Sequence, residues 1–220
     1  MQRMTGEPGI ERDAVRRMGH DLRNKLGVIQ NSVYYLEMKV GRNEARLAKH
    51  LDILSREIAL CGHLVQDLMD MTAPKEPAPA PTPVQSLVDD VLHRHHPPEG
   101  VQVIWEMPAE VPPAQVDAGH VSRAIENVLV YQYATLAPGD EVHIHLRHRG
   151  EIYLDFVDSG PGLTRDELGE LLTLRPDDEG FTARVTLVVA RRLIEVGGGR
   201  WQMESRPGIG TRFTFIMPTA

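Results

Sequence analysis

One cysteine, Cys61, stands in 220 residues. A single thiol excludes an internal disulfide framework and fits a reducing cytoplasm. Basic charge is in deficit: 24 Lys and Arg face 31 Asp and Glu, for a net charge of −7. No basic stripe follows from that balance, which argues against nucleic acid as a partner. No segment reaches the ~18 apolar residues of a membrane span, and no signal-peptide apolar core opens the chain. Aromatic residues are only 5% of the total, beside 41% hydrophobic and 25% charged. The rest is ordinary globular composition, with length for one large or two small domains.

Metal-ligand spacing is also missing. His143 and His145 alternate on one strand, and His93, His95 and His96 precede Pro97. No carboxylate or thiol has recognisable ligand spacing with them, so they read as surface histidines and no metal site is expected. Ser159 lacks the elbow sequence of a hydrolase nucleophile. Trp105 and Trp201 read as core or rim residues.

The stretch that is distinctive runs Met18-Gly-His-Asp-Leu-Arg-Asn-Lys-Leu-Gly-Val-Ile29. Leu22, Leu26, Ile29, Val33 and Leu36 recur at threes and fours and share one helix face. His20 lies roughly opposite that stripe, with Asn24, Gly27 and Asn31 on its own side at successive turns. An interior Gly costs a helix roughly 1 kcal/mol against Ala, and Gly27 leaves a bare patch where another protein can come close.

The spacing predicts a first helix over about Ile10–Val40, a turn at Gly41-Arg-Asn43 and a second helix over about Glu44–Asp70. Leu47, Leu51, Leu54, Ile58, Cys61, Val65 and Leu68 alternate by fours and threes along the second helix, as in a bundle seam. Two long helices joined by a short loop make a hairpin. Ile53, Leu60, Leu64 and Met69 lie off that seam, more apolar surface than one partner helix covers. Two hairpins side by side, a homodimeric four-helix bundle, are therefore expected.

Pro74 to Pro83, with five prolines, reads as an extended, semi-rigid linker. Beyond it, helices are expected over Val84–His93, Gly119–Tyr133, Thr164–Leu172 (opened by a Thr164/Glu167 capping box) and Ala183–Glu195. Strands are expected over Val101–Glu106, Glu141–Arg147, Ile152–Val157, Arg200–Glu204 and Arg212–Met217. The mixture indicates an α+β sandwich. The expected division is 1–73, 74–83 and 84–220.

His20-Asp21-Leu22-Arg23-Asn24-Lys25-Leu26 resembles the H-box of two-component sensor histidine kinases, with Lys25 where that family usually has proline. The resemblance implies a phosphoryl-carrying His20, an assisting Asp21 and an amide, Asn24, that helps phosphatase action on the partner. It implies docking of response-regulator receiver domains around Arg23, Gly27 and Asn31, and a dimerisation and phosphotransfer unit at the start of the chain. Asp158-Ser-Gly160-Pro-Gly162 and Gly208-Ile-Gly210-Thr211 resemble two glycine boxes of the Bergerat-type ATP-binding domain. There the aspartate of the first box hydrogen-bonds the adenine amine.

Three other boxes of that domain are altered. Counted from Asp117, the two asparagines of the family's N-box fall on Asn127 and Tyr131; a phenol is a poor ligand for Mg²⁺, and its ring is expected to crowd the space meant for phosphates. The second glycine box becomes Arg184-Val-Thr186-Leu187, where side chains obstruct backbone approach to phosphate. Glu170 to Pro176 replaces the lid motif. Fewer than twenty residues precede His20, where a sensor module is usual. These departures lead to the expectation of a cytoplasmic, kinase-like histidine phosphotransfer protein that relays phosphoryl groups between receivers. ATP is expected to be unlikely as a ligand, no cofactor to be held tightly, and Mg²⁺ to come from the docked receiver. The alternatives are a soluble, divergent kinase that autophosphorylates His20, or a receiver-binding module or phosphatase helper.

Overall fold

The computed structural model describes residues 23–24, 26–36, 38, 45–72, 76–173 and 181–220. His20, Asp21 and the expected turn at 41–43 lie outside the described residues, as does the end of the expected lid replacement. The chain divides into two units, Met1–Lys75 and Glu76–Ala220.

In the first unit, residues 23–24, 26–36 and 38 are helical (α1) and α2 spans Ala45–Thr72. Contacts pair the start of α1 with the end of α2. The Arg23 guanidinium donates to Gln66 Oε1 and lies 3.0 Å from Met69 Sδ. Gln66 in turn donates to Asp70 Oδ1 at 2.8 Å. Further along, Val33, Leu51 and Ile58 form a buried cluster with Leu26 against it. The apolar stripe is thus divided. Leu26 and Val33 face α2, whereas Ile29 and Leu36 are about half exposed, at 49% and 47%. Along α2, Leu51, Ile58 and Val65 are buried, but Leu54 is 49% exposed and Ile53 is also open to solvent, as is Tyr34 on α1.

The second unit is a five-stranded sheet in the order β2-β4-β5-β7-β6, with helices against it. Its strands are β2 Gln102–Glu106, β4 Glu141–His148, β5 Glu151–Asp158, β6 Arg200–Arg206 and β7 Gly210–Pro218. Only β2 and β4 pair in parallel. The helices are α3 Val84–Arg94, α4 Ala118–Thr135, α5 Arg165–Glu170 and α6 Phe181–Val196. The α5 capping box is present: Thr164 Oγ1 accepts from the Glu167 N–H, and the Thr164 N–H donates to Glu167 Oε2.

Alternation along the strands builds the core. Val142, Ile144 and Leu146 of β4, Ile152, Leu154 and Phe156 of β5, and Phe213, Phe215 and Met217 of β7 are buried. Three of the chain's four phenylalanines are therefore in this one layer. Trp201 leans on two of them, with ring centroids 5.6 Å from Phe213 and 5.4 Å from Phe215. Each such side chain contributes roughly 1.5–3 kcal/mol by burial.

Part of the expected linker is sheet. Ala80–Thr82 (β1) pairs antiparallel with Ala114–Val116 (β3), in register Ala80↔Val116 and Thr82↔Ala114. Proline is tolerated because this is a two-stranded ribbon, in which Pro81 needs no ladder donor on its open side. Both strands are three residues long, β1 between Pro79 and Pro83 and β3 after Pro112-Pro113, too short to show a period of two.

Candidate functional site

Helix α4 supplies one wall of the site. Asp117 caps it, accepting from the N–H groups of His120 at 2.8 Å and Ala78 at 2.9 Å. Burial pushes the Asp117 carboxyl up, but the N–H groups of Ala78, His120 and Gly119 and the His120 side chain outweigh it and hold it below the usual range. Val121, Ile125, Val128 and Gln132 recur at fours and threes on the inward face, all fully or nearly buried.

Asn127 is fully buried, and its Nδ2 donates to the Thr186 carbonyl at 3.1 Å, tying α4 to α6. Thr186 is buried too, with its hydroxyl donating back to Ala183 O at 2.7 Å. Tyr131 sits edge-on to Phe213, centroids 5.7 Å apart, with only 7% of its surface exposed. Desolvation, reinforced by the Asp158 carboxylate and opposed by Arg184, pushes its phenol up to about 12.

The two glycine-bearing loops meet over Asp158, at the end of β5. Asp158 Oδ1 accepts from the Gly160 N–H at 3.1 Å and the Thr211 N–H at 3.0 Å. Asp158 Oδ2 accepts from Gln132 Nε2 at 3.0 Å. Gly208 N donates to Pro161 O at 2.7 Å, and Ser205 links both loops by accepting from Leu163 N and donating to Gly210 O. Burial pushes the Asp158 carboxyl above the usual range, and the Gln132, Thr211 and Gly160 donors offset this only in part.

The closeness of the loops requires glycine at two points. A Cβ on Gly210 (φ +124°) would lie 1.8 Å from Asp158 O, and one on Gly162 (φ +65°) would lie 2.0 Å from Arg206 O. Neither backbone neighbour can give way. Gly208 also has positive φ (+73°), but a Cβ there meets nothing. Gly210→Ala is therefore expected to remove about 3 kcal/mol, and to lower the melting temperature of this unit by roughly 10 °C in calorimetry. Gly208→Ala, which meets only the conformational cost, should remove about 1–2 kcal/mol. Equal losses in the two variants would show that the contact with Asp158 O does not matter.

Sequence reasoning named Asp158, Gly160, Gly162, Gly208 and Gly210, and the structure brings them together with Tyr131. It did not name Gln132 or Ser205, and it quoted Thr211 only as the end of a glycine box. Gln132 carries a readable signal: it is a polar residue on the inward face of α4, one turn beyond Val128. In the first unit, Asn24 and Asn31 are exposed and Gly27 is half-buried, while Arg23 is turned onto α2. His143 and His145 stack at 5.9 Å, each against a carboxylate (Glu141 at 2.9 Å, Glu106 at 3.0 Å). No group of three or more metal-ligating side chains occurs among the described residues. A larger depression of about 470 Å³ lies away from Asp158, between Glu106, His145, Arg147 and Asp155. Its Arg147 is already committed to Asp155 at 2.7 Å.

Residues 118–220 match the family described as "Histidine kinase-, DNA gyrase B-, and HSP90-like ATPase". The similar proteins include histidine and sensory kinases. The methanogenesis regulatory histidine kinase FilI of Methanothrix harundinacea is 28% identical over 220 residues, 93% of this chain and 24% of that one. The adaptive-response sensory kinase SasA of Prochlorococcus marinus is 23% identical over 217 residues, 93% of this chain and 56% of its own. The chain thus spans between about a quarter and just over half of these relatives. Full-length ShkA, solved in complex with AMPPNP, shares the fold at a TM-score of 0.68 and 19% identity, over 94% of this chain and 46% of its own. The mycobacterial sensor histidine kinase MprB does so at 0.54 and 21%, over 64% and 98%.

The match of residues 118–220 to an ATPase family overturns the expectation that ATP is unlikely as a ligand. The structure supplies a physical reason for the error. The ring of Tyr131 and the side chain of Thr186, expected to crowd the phosphate space, are turned into the core, against Phe213 and Ala183 O. Relatives that are kinases also favour the autophosphorylating alternative over ATP-free transfer. No described helix is long and apolar enough to cross a membrane.

Proposed function

We propose that the chain is a histidine kinase that uses ATP to phosphorylate His20 and presents the phosphohistidine to response-regulator receiver domains. The observation that carries this reading is Asp158. Its carboxylate is buried in the region matched to the ATPase family and fixed by two backbone N–H groups, and its second oxygen accepts an N–H donor. The exocyclic amine of adenine is such a donor, so the residues present fit the base. Arg184, close enough to Tyr131 to act on its ionisation, brings a cation to the same neighbourhood for phosphate. Tyr131 does not fit as a ligand of Mg²⁺, which takes carboxylate, amide or water oxygens.

ATP, when bound, supplies the γ-phosphoryl group. Asp158 orients the base, and the Gly160 and Thr211 N–H groups hold the carboxylate that does so. In the helical unit, proposed as residues 1–73, neutral His20 offers a ring nitrogen as nucleophile. Asp21 holds the tautomer and stabilises the cation that forms. Asn24, one turn on, assists dephosphorylation of a docked partner, and Gly27 and Asn31 extend the docking face.

Two such units form the proposed homodimeric four-helix bundle. Its support is the apolar surface left open on a single chain, including Ile29, Leu36, Ile53 and Leu54. The deciding experiment is incubation of the purified chain with γ-labelled Mg-ATP. Acid-labile, alkali-stable label is expected, and is absent from a His20→Gln variant. A chain that stays unlabelled while binding ADP would overturn the kinase reading.

A further inference from the structure

Gln132 is fully buried, and one of its two polar atoms has no partner. Its Nε2 donates to Asp158 Oδ2, whereas its Oε1, with no solvent contact, meets no donor. A buried acceptor left unsatisfied is destabilising, so the carboxamide is held in place by one bond at the expense of the other. The Asp158 carboxylate has no other side-chain donor among its hydrogen bonds: Oδ1 is filled by the Gly160 and Thr211 N–H groups. Both of those come from loops fixed by the close approach of Gly162 and Gly210. Gln132 is carried on α4, where its side chain alone needs to rotate.

We propose that the Gln132 carboxamide is a built-in occupant of the Asp158 acceptor, so that an adenine nucleotide enters only as Gln132 leaves. This rests on the nucleotide reading of Asp158 given above. The exchange is chemically matched. One N–H donor on Oδ2, the amide of Gln132, is replaced by another, the exocyclic amine of the base. The displaced amide regains water for the oxygen that is unsatisfied in the closed arrangement. Gln132 therefore weakens nucleotide binding by competing for the same oxygen, and it acts as a gate on affinity. It also sharpens selection: a base presenting a carbonyl there cannot replace the lost donor and leaves Asp158 facing an acceptor.

The test is calorimetric titration of ADP, and separately GDP, into the full chain and its Gln132→Ala and Gln132→Ser variants. Both variants are expected to bind ADP at least tenfold more tightly than the parent, with GDP unimproved. Unchanged or weaker ADP binding in variants that melt as the parent does would overturn the gate. The nucleotide reading would survive that result if the parent binds ADP and Asp158→Asn does not. No ADP binding by any of these proteins at millimolar concentration would overturn both. Side-chain amide NMR of the parent provides the same test without a cavity. The Gln132 NH₂ signals should be protected from solvent exchange in the free protein and lose that protection when ADP is added. Protection that persists in the ADP-saturated protein would refute the displacement.

Discussion

An Asp158→Asn variant is expected to melt above the parent at neutral pH while its affinity for adenine nucleotide falls by about a hundredfold. The two effects share one cause. Burial holds the Asp158 carboxyl above its ordinary range, so the folded chain favours the neutral form of this group more than the unfolded chain does. An uncharged isostere removes that penalty. The residue's Oδ1 keeps its two backbone donors, since an amide oxygen can take their place with the Gly160 and Thr211 N–H groups. A gain near 1 kcal/mol would raise the melting temperature by about 2–4 °C. The lost affinity is that of a charged acceptor facing an N–H donor, about 1.5–3 kcal/mol.

The pH dependence has a defined sign. A folded-state pKa raised above the unfolded value means that the charge is destabilising above that raised pKa, and is relieved as pH falls through it. The melting difference between variant and parent should therefore be widest near neutrality and close in acid. Other acid-sensitive groups shift both proteins alike: Asp117 and Glu167, held low by backbone N–H groups, lose their stabilisation in acid in each. A gap that is constant with pH, or a variant that melts below the parent, would show that the carboxylate is held for stability and not for a ligand.

The sheet and its longer helices were legible from alternating strands and a 3.6-residue helical period, and the six-residue α5 from its capping box alone. Val142-His-Ile-His-Leu146 shows the former, with apolar residues buried and histidines outside. The ribbon of β1 and β3 was not, since three residues among prolines carry no period. The site was half legible. Asp158 and the glycines stood out as types, because backbone approach at Gly210 leaves no room for a side chain. The directions of Tyr131 and Thr186 were not legible. A bulky residue in a binding motif obstructs only if it points outward, and Tyr131 is instead drawn onto Phe213. Gln132 was overlooked for the converse reason: one amide in an apolar face looks like noise until its partner, 26 residues away, is known to be a buried acid.

On the helical unit, the largest expected effect is from Gly27→Trp: transfer from phosphorylated His20 to a receiver domain should fall tenfold or more while the chain stays dimeric. A Cβ built on Gly27 meets nothing within 4 Å, so the first carbon of a side chain there displaces no contact between α1 and α2. The cluster of Leu26, Val33, Leu51 and Ile58 is untouched, and so are the Arg23 bonds to α2. Helix propensity points the same way, since any ordinary residue improves on an interior glycine by up to about 1 kcal/mol. Gly27→Ala should therefore raise the stability of this unit and serve as a control for folding. The indole has no such freedom if a receiver seats itself across Asn24, Gly27 and Asn31. It would hold the two surfaces apart over the bare patch, and a tenfold loss requires only about 1.4 kcal/mol of lost association. Labelling at His20, measured first for each protein, separates loss of transfer from loss of phosphorylation. Transfer from Gly27→Trp at the parent's rate would move the receiver to another face of the helix.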